Sequence, residues 1–112
     1  MELLTPLHVC DKDDIPSGEG IRIVRDDLPE PIAVFNDEGE FFALSDTCSH
    51  GQASLAEGEV SNREIECPLH WGRFKLETGK ACALPALLPV TSYPVTVDGN
   101  RVLVSIPTEG DE

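Results

Sequence analysis

Short apolar blocks separated by turn-forming residues dominate this chain, and few stretches repeat apolar residues at helical spacing. Blocks of this length that are bounded by Gly, Pro, Asn or Asp predict strands rather than helices. The clearest pair, residues 32–35 and 41–44, flanks the polar segment 36–40. Two apolar runs around a glycine-containing polar segment predict a β-hairpin.

The remaining segments also predict a mostly β chain. The other predicted strands are residues 3–9 at a sheet edge, 20–25, 63–66, 73–76, and a second hairpin of 90–97 and 101–106 in which Pro94 marks a bulge or an edge. The predicted connections are a polar link at 11–18, a helical turn at 54–57 and a frayed acidic tail at 107–112. Short strands with tight turns predict an all-β fold, an antiparallel β-sandwich or small barrel. The loops after residues 44 and 66 would then belong to a separate subdomain spanning about residues 45–86.

The length of 112 residues predicts one domain, residues 1–112, that buries about 65% of its unfolded surface. The N-terminus lacks a basic segment followed by a long apolar run, so no secretory signal is expected. The most apolar stretch, residues 81–90, contains Pro85 and Pro89 and does not predict a membrane span. These features predict a cytoplasmic protein that does not bind membranes.

The formal net charge is −13, from 21 acidic and 8 basic residues. This charge disfavours nucleic acids and anionic membranes as partners. It suits a basic protein partner, because long-range attraction raises association rates without demanding tight binding. The same charge could serve only to keep a small protein in solution, so it identifies no partner by itself.

Two short segments carry most of the functional information: Cys48-Ser49-His50 and Cys67-Pro68-Leu69-His70. The cytoplasm keeps thiols reduced, so the four cysteines predict metal ligands and free thiols rather than disulfides. Each segment offers one thiolate and one imidazole, whereas zinc fingers usually gather like ligands on one segment. Mixed segments suit a binuclear centre in which one iron takes both cysteines and the other takes both histidines, the Rieske [2Fe-2S] arrangement. A structural zinc site remains the alternative.

The residues around these segments resemble the small Rieske-type ferredoxins of bacterial multicomponent ring-hydroxylating dioxygenases. The resemblance spans about residues 4–106 and rests on Cys48-Ser49-His50-Gly51, Ala53-Ser54-Leu55, Gly58, the run of residues 65–74 and Thr78-Gly79-Lys80. It implies that Cys48 and Cys67 bind an inner iron and that His50 and His70 bind an outer, more exposed iron. It also implies that Leu84-Pro85-Ala86 covers the cluster, although a plain turn explains those residues nearly as well.

Several neighbours of the ligands admit two interpretations. Trp71 adjoins His70 and is either a buried aromatic residue or part of a partner-docking surface. Gly51, Gly58 and Gly72 are expected to allow positive φ or close backbone approach near the cluster, although an ordinary turn glycine is the favoured interpretation of Gly58. The two remaining cysteines, Cys10 and Cys82, are expected to be buried free thiols that behave as small hydrophobic residues. His8 is expected to be a strand residue whose side chain has a hydrogen-bond partner.

The resemblance also bears on the reduction potential. Respiratory Rieske proteins carry an additional cysteine in each ligand loop and two hydroxyl residues after the second histidine. The matching residues in this chain are Ala53, Leu69, Gly72 and Phe74. Because hydrogen bonds to the cluster sulfurs stabilise the reduced state, their absence at these positions predicts a potential near the lower end of the Rieske range.

The number of histidines restricts the chemistry. The chain has 3 histidines, and two are assigned to the cluster, so His8 alone cannot complete the two-histidine, one-carboxylate iron site of a terminal oxygenase. No glycine-rich nucleotide fingerprint is present either. These features predict a soluble, monomeric one-electron carrier from a NAD(P)H-dependent flavoprotein reductase to the terminal oxygenase of an aromatic-ring dioxygenase. The alternatives are a small Rieske subunit of another oxidoreductase, such as a nitrite-reductase type, and a zinc-stabilised binding module.

Overall fold

The structure is a computed structural model that describes residues 3–47, 54–67, 72–83 and 89–108. These residues form 11 strands and two short 3₁₀ helices. The strands are β1 (Leu3–Asp11), β2 (Glu19–Ile23), β3 (Ile32–Asp37), β4 (Glu40–Ser45), β5 (Glu59–Ser61), β6 (Glu64–Glu66), β7 (Arg73–Lys75), β8 (Ala81–Ala83), β9 (Ser92–Tyr93), β10 (Val95–Asp98) and β11 (Arg101–Thr108). The 3₁₀ helices are Lys12–Asp14 and Leu55–Glu57. No helix within these ranges is long and apolar enough to cross a membrane.

The strands form three antiparallel sheets, which confirms the predicted fold class. The first sheet has the order β1-β11-β10, the second β2-β3-β4-β9, and the third β5-β6-β7-β8. The first two sheets form the basal part of the molecule. The third sheet is built from residues of the predicted subdomain. This subdomain contains the two predicted ligand segments, residues 48–50 (the first) and 67–70 (the second).

The second sheet is the middle layer, and β3 shows this most clearly because all six of its residues are buried. Ile32 and Val34 pack in one core with residues of the first sheet, including Val102. Ala33 and Phe35 point to the opposite face and pack in a second core with residues of the third sheet. A strand buried on both faces needs a continuous apolar run, as residues 32–35 provide.

The hairpin between β3 and β4 has a tighter turn than the sequence predicts. Glu38 and Gly39 alone form the turn, with φ values of 56° and 92°. Asn36 closes it, since its side-chain oxygen accepts a hydrogen bond from the Gly39 backbone N–H at 2.8 Å. The side-chain amide of Asn36 also donates to the Ile15 carbonyl at 2.7 Å. The polar residues at the ends of the predicted five-residue turn therefore extend both strands.

Several other elements differ from the sequence prediction. Pro94 divides the predicted strand 90–97 into β9 and β10, because proline cannot donate to a strand ladder. The strand β11 continues to Thr108, so the predicted acidic tail does not begin at Pro107. From Ser105 to Thr108, β11 pairs with β1 but no longer with β10, so this part of β11 lies at an edge of its sheet. Pro107 is tolerated there because a strand edge does not need every N–H as a donor. The short edge strands β5 and β8 are absent from the prediction, whereas the equally short β6 and β7, which border the second ligand segment, are predicted.

Arg63 fixes the third sheet to the middle sheet. It lies in the turn between β5 and β6 with φ 62°, and its backbone N–H donates to Asp37 Oδ2 at 2.9 Å. Its guanidinium pairs with Asp37 and Glu40 and lies 5.5 Å from the centre of the Phe42 ring. The contacts hold the turn of the third sheet against the β3–β4 hairpin, at the end where β4 and β6 begin. Both strands therefore run from this end toward the ligand segments.

Candidate metal centre

Of the four predicted ligands, Cys67 lies within the described residues, whereas Cys48, His50 and His70 lie outside them. Cys67 directly follows β6, is 0% exposed and forms no disulfide. Its neighbours in the second core include Leu55, Phe74 and Leu76. Burial alone does not distinguish Cys67 from Cys10, but its position at the end of β6, where the predicted ligand segment 67–70 begins, fits the predicted ligand role. Within the described residues, which leave out three of the four predicted ligands, no group of three or more His, Cys, Asp and Glu residues could hold a metal ion.

The second ligand segment starts and ends on one hairpin. The strands β6 and β7 pair through Ile65–Phe74 and Glu66–Arg73. The Cys67 backbone N–H donates to the Gly72 carbonyl at 2.7 Å, which closes the hairpin around residues 68–71. Gly72 is buried at this closing position. The hairpin therefore fixes where the segment that contains His70 leaves the sheet and where it returns.

The first ligand segment is closed in a similar way. The strand β4 ends at Ser45, and an isolated antiparallel bridge joins Thr47 to Ser54 across residues 48–53. The Leu55 N–H also donates to the Asp46 carbonyl at 2.7 Å. The segment that contains Cys48 and His50 thus has both of its ends tied together.

Gly58 brings the bases of the two ligand segments into contact. A Cβ at this position would lie 2.0 Å from the Glu66 carbonyl oxygen and 3.2 Å from Ile65 Cδ1. Gly58 has φ −83°, so its requirement is for space rather than for a left-handed backbone. The favoured interpretation of Gly58 as an ordinary turn glycine is therefore wrong, and the alternative of a close backbone approach is confirmed, because only glycine allows the chain to come this near to the residue before Cys67.

Other residues of the predicted site lie outside the described ranges. They are Gly51, Ala53, Leu69, Trp71, and the Leu84-Pro85-Ala86 segment. The last of these follows β8, which pairs with β7 through Arg73–Ala83. After residues 84–88, the Val90 N–H donates to the Gly79 carbonyl at 2.9 Å. Residues 84–88 thus follow β8, a strand of the same sheet in which β6 leads to Cys67.

The cysteines without a predicted ligand role differ from each other. Cys10 is 7% exposed and packs in the basal core, which confirms the prediction of a small buried thiol. Cys82 is exposed on the edge strand β8, so the same prediction is wrong for Cys82. Sequence alone could not separate them, because both lie in short apolar runs. His8 is confirmed as a strand residue with a partner, since its Nε2 lies 2.9 Å from Asp11 Oδ1.

Burial at Cys10 predicts a loss of stability at high pH. Burial, followed by the charges of Asp14 and Asp11, raises the pKa of the Cys10 thiol from 9.0 to about 11. Between these values the unfolded chain releases the proton and the folded chain retains it, so the free energy of unfolding falls as pH rises from about 9 to 11. The loss is on the order of 2 kcal/mol.

Denaturant titrations at about pH 8 and pH 10.5 would measure this loss in the wild type and in Cys10→Ala. The fall should be smaller in the variant. The pKa of Tyr93 is also raised, by burial and by its hydrogen bond with Glu30, and Tyr93 is present in both proteins. The comparison therefore isolates Cys10, and equal falls in the two proteins would contradict its assignment as the buried titrating thiol.

Comparisons with known proteins agree with the observed fold and with the predicted type of metal centre. Residues 5–94 match the family model described as the Rieske [2Fe-2S] domain. The chain is 46% identical over 102 residues to the 3-phenylpropionate/cinnamic acid dioxygenase ferredoxin subunit of Escherichia coli (strain K12), an alignment that covers 90% of this chain and 93% of that protein.

Two solved structures show the same fold. One is the ferredoxin of carbazole 1,9a-dioxygenase from Nocardioides aromaticivorans IC177, with a TM-score of 0.83, 39% identity, and coverage of 91% of this chain and 98% of that chain. The other is a chain in a complex of reduced oxygenase and oxidized ferredoxin in carbazole 1,9a-dioxygenase, with a TM-score of 0.82 and 37% identity. It covers 89% of this chain and 92% of its own.

Proposed function

This chain belongs to the Rieske [2Fe-2S] domain family, and from that membership we propose that it is the ferredoxin component of a multicomponent aromatic-ring dioxygenase. In this role it takes up one electron at a time and delivers it to a terminal oxygenase. The observation that carries the proposal is the 46% identity, over 90% of the chain, to a dioxygenase ferredoxin subunit. The protein is an electron-transfer component and not a catalyst on its own.

The cofactor is one Rieske-type [2Fe-2S] cluster. We propose that Cys48 and Cys67 hold one iron and that His50 and His70 hold the other. Two neutral imidazoles in place of two thiolates make the oxidised centre neutral overall, which favours the uptake of an electron. The chain contributes two closed loop bases that fix where the ligand segments begin and end, and a buried environment around Cys67.

The acceptor and the donor are proposed separately. The acceptor is a terminal oxygenase, as in the carbazole 1,9a-dioxygenase complex of oxygenase and ferredoxin. The donor is a NAD(P)H-dependent flavoprotein reductase, because the sequence has no nucleotide fingerprint of its own. We propose that the ferredoxin meets each of them as a monomer, since a carrier must dock, transfer its electron and leave.

The distribution of charge suggests how such docking proceeds. Residues 45–86 contain six acidic and four basic residues, whereas the rest of the chain contains 15 acidic and four basic residues. The acidic majority therefore attracts a basic partner at long range, while the nearly neutral cluster-binding part makes the contact. Turnover with the oxygenase should decrease as salt is raised, because screening weakens the long-range attraction.

We further propose a cytoplasmic location. The exposed free thiol of Cys82 and the buried free thiol of Cys10 suit a reducing compartment, in which thiols persist and disulfides are rare.

Reconstitution with purified reductase and oxygenase tests the proposal. Aromatic substrate should be oxidised at the expense of NAD(P)H when this protein is present, and the rate should rise with its concentration until another step limits turnover. Unchanged turnover in its absence would contradict the carrier role. A tight complex with a different oxidoreductase, such as a nitrite reductase, would favour the alternative of a fixed small subunit.

The reduction potential is predicted to lie near the lower end of the Rieske range of about −150 to +300 mV. Phe74, which matches a hydroxyl position of respiratory Rieske proteins, is 0% exposed and lies in the same core as Cys67. Its ring cannot donate a hydrogen bond to a cluster sulfur. An anaerobic redox titration would measure the potential, and a value in the upper part of the range would contradict the prediction. The Phe74→Tyr variant, which adds a hydroxyl, should have a higher potential than the wild type.

A further inference from the structure

Asp46 is a buried carboxylate at the base of the first ligand segment. It follows the last residue of β4 and precedes Cys48 by two positions, and it is 2% exposed. A buried charge is costly unless it is paired and accepts hydrogen bonds. The contacts that compensate Asp46 therefore show what the residue holds in place.

The carboxylate of Asp46 connects three parts of the chain. Its Oδ1 accepts hydrogen bonds from Ser54 Oγ at 2.8 Å and from the Ala56 backbone N–H at 3.0 Å. Its Oδ2 accepts a hydrogen bond from Arg22 Nε at 3.0 Å. The first two donors lie after residues 48–53, whereas Asp46 lies before them, so one side chain joins both ends of the first ligand segment and ties them to β2.

The backbone of Asp46 strengthens the same junction. Its carbonyl accepts the Leu55 N–H at 2.7 Å, and its N–H donates to the Pro31 carbonyl at 3.0 Å. Leu55 is fully buried in the core that also contains Cys67. The junction thus also connects the first ligand segment to the base of the second.

We propose that Asp46 is a positioning residue for the cluster. By holding the two ends of the segment that contains Cys48 and His50, it fixes where this segment leaves the sheet and where it returns, and so from where these ligands can reach the cluster. Arg22 provides the positive charge that compensates the buried carboxylate of Asp46, and its own side chain remains 54% exposed. The inference rests on the cluster of the proposed function but not on its partners, and no motif in the sequence signals it, since Asp46 is one of 21 acidic residues.

Two conservative variants separate the charge from the hydrogen bonds. Asp46→Asn keeps an oxygen that can accept from Ser54 and Ala56 but leaves the Arg22 charge uncompensated. Arg22→Gln keeps the carboxylate but removes its counter-charge. Because nearby positive charge favours an added electron and negative charge opposes it, the midpoint potential should rise in Asp46→Asn and fall in Arg22→Gln. Asp46→Ala removes both functions of the side chain.

Asp37 provides a matched control. It is also a buried aspartate of the middle sheet, at 7% exposure, and its carboxylate accepts a backbone N–H and pairs with an arginine, Arg63. It lies at the hairpin end of β3, where it pairs with Glu40, whereas the first ligand segment follows the opposite end of β4. Asp37→Ala and Asp37→Asn should lower the melting temperature but leave the potential and the EPR spectrum of the cluster unchanged.

The experiment compares these variants in the cluster-loaded protein. In Asp46→Ala, cluster loss to a chelator, followed by the decay of visible absorbance, should be about 10- to 100-fold faster than in the wild type. The EPR spectrum should also change. Asp46→Asn should lose the cluster more slowly than Asp46→Ala, because it retains an acceptor.

The proposal is overturned if the potentials and EPR spectra of Asp46→Asn and Arg22→Gln equal those of the wild type. It is also overturned if Asp46→Ala, where it folds, loses its cluster no faster than Asp37→Ala. If Asp46→Ala does not fold, the two conservative variants decide. Failure of the proposed function would be distinguishable, because the wild-type cluster would remain intact while reconstituted turnover failed.

Discussion

The Cys67→Ser variant is expected to purify without its iron–sulfur cluster and to be colourless. Cys67 is 0% exposed and lies directly after β6, at the base of the second ligand segment. Its thiolate is one of the two proposed thiolate ligands of an iron. A serine hydroxyl stays protonated at neutral pH and binds iron poorly, so the cluster loses one of four attachments. Iron content should fall from about two atoms per chain to near zero.

The other described cysteines are the controls for this prediction. Cys82→Ser and Cys10→Ala should keep the wild-type iron content, because Cys82 is exposed at a sheet edge and Cys10 packs in the basal core. Cys10→Ala avoids burying a hydroxyl in an apolar core. Iron retained in Cys67→Ser, or iron lost in Cys82→Ser, would contradict the proposed ligand set.

The Gly58→Ala variant is expected to lose about 3 kcal/mol of stability, at the upper end of the usual cost of overpacking. Its Cβ would lie 2.0 Å from the Glu66 carbonyl oxygen, a backbone atom that cannot move aside alone. The chain after the first ligand segment and the end of β6 must separate to relieve this clash. Denaturant unfolding would measure the stability, and the chelator assay should show faster cluster loss because Cys67 follows Glu66.

Gly99→Ala distinguishes this clash from ordinary backbone strain. Gly99 has φ 65°, and nothing lies within 4 Å of an added Cβ. The variant should therefore lose only about 1 kcal/mol, from the left-handed backbone, with no change in cluster stability. If Gly58→Ala lost no more stability than Gly99→Ala, the close contact between Gly58 and Glu66 would not be what holds the ends of the two ligand segments together.

The sequence predicts most of the fold because its longest strands have strong local patterns. The continuous apolar run of residues 32–35 predicts a buried strand, and Asp98-Gly99-Asn100 predicts a hairpin that the structure contains. Alternation and turn residues predict the short strands β6 and β7 but do not reveal the short edge strands β5 and β8. They also cannot show that β3 is the middle layer, since that depends on how separate sheets pack.

The candidate site, like the fold, can be predicted from the sequence only in part. Ligand identity can be predicted because the spacing of cysteine and histidine is itself the chemical signature. The supporting residues cannot, because their roles arise from contacts between distant segments. Arg22 and Asp46 are 24 positions apart, and Gly58 acts through Glu66. A glycine and an aspartate at these positions have no distinctive local pattern.

An anaerobic reductive titration of the purified protein, followed by EPR together with iron and acid-labile sulfide analysis, directly tests whether the chain holds a redox-active Rieske cluster. We expect about two irons and two sulfides per chain and the uptake of one electron. A Rieske-type EPR signal should appear as the electron is added, at a midpoint potential in the lower part of the Rieske range. A colourless protein that contains zinc and takes up no electron would contradict this expectation.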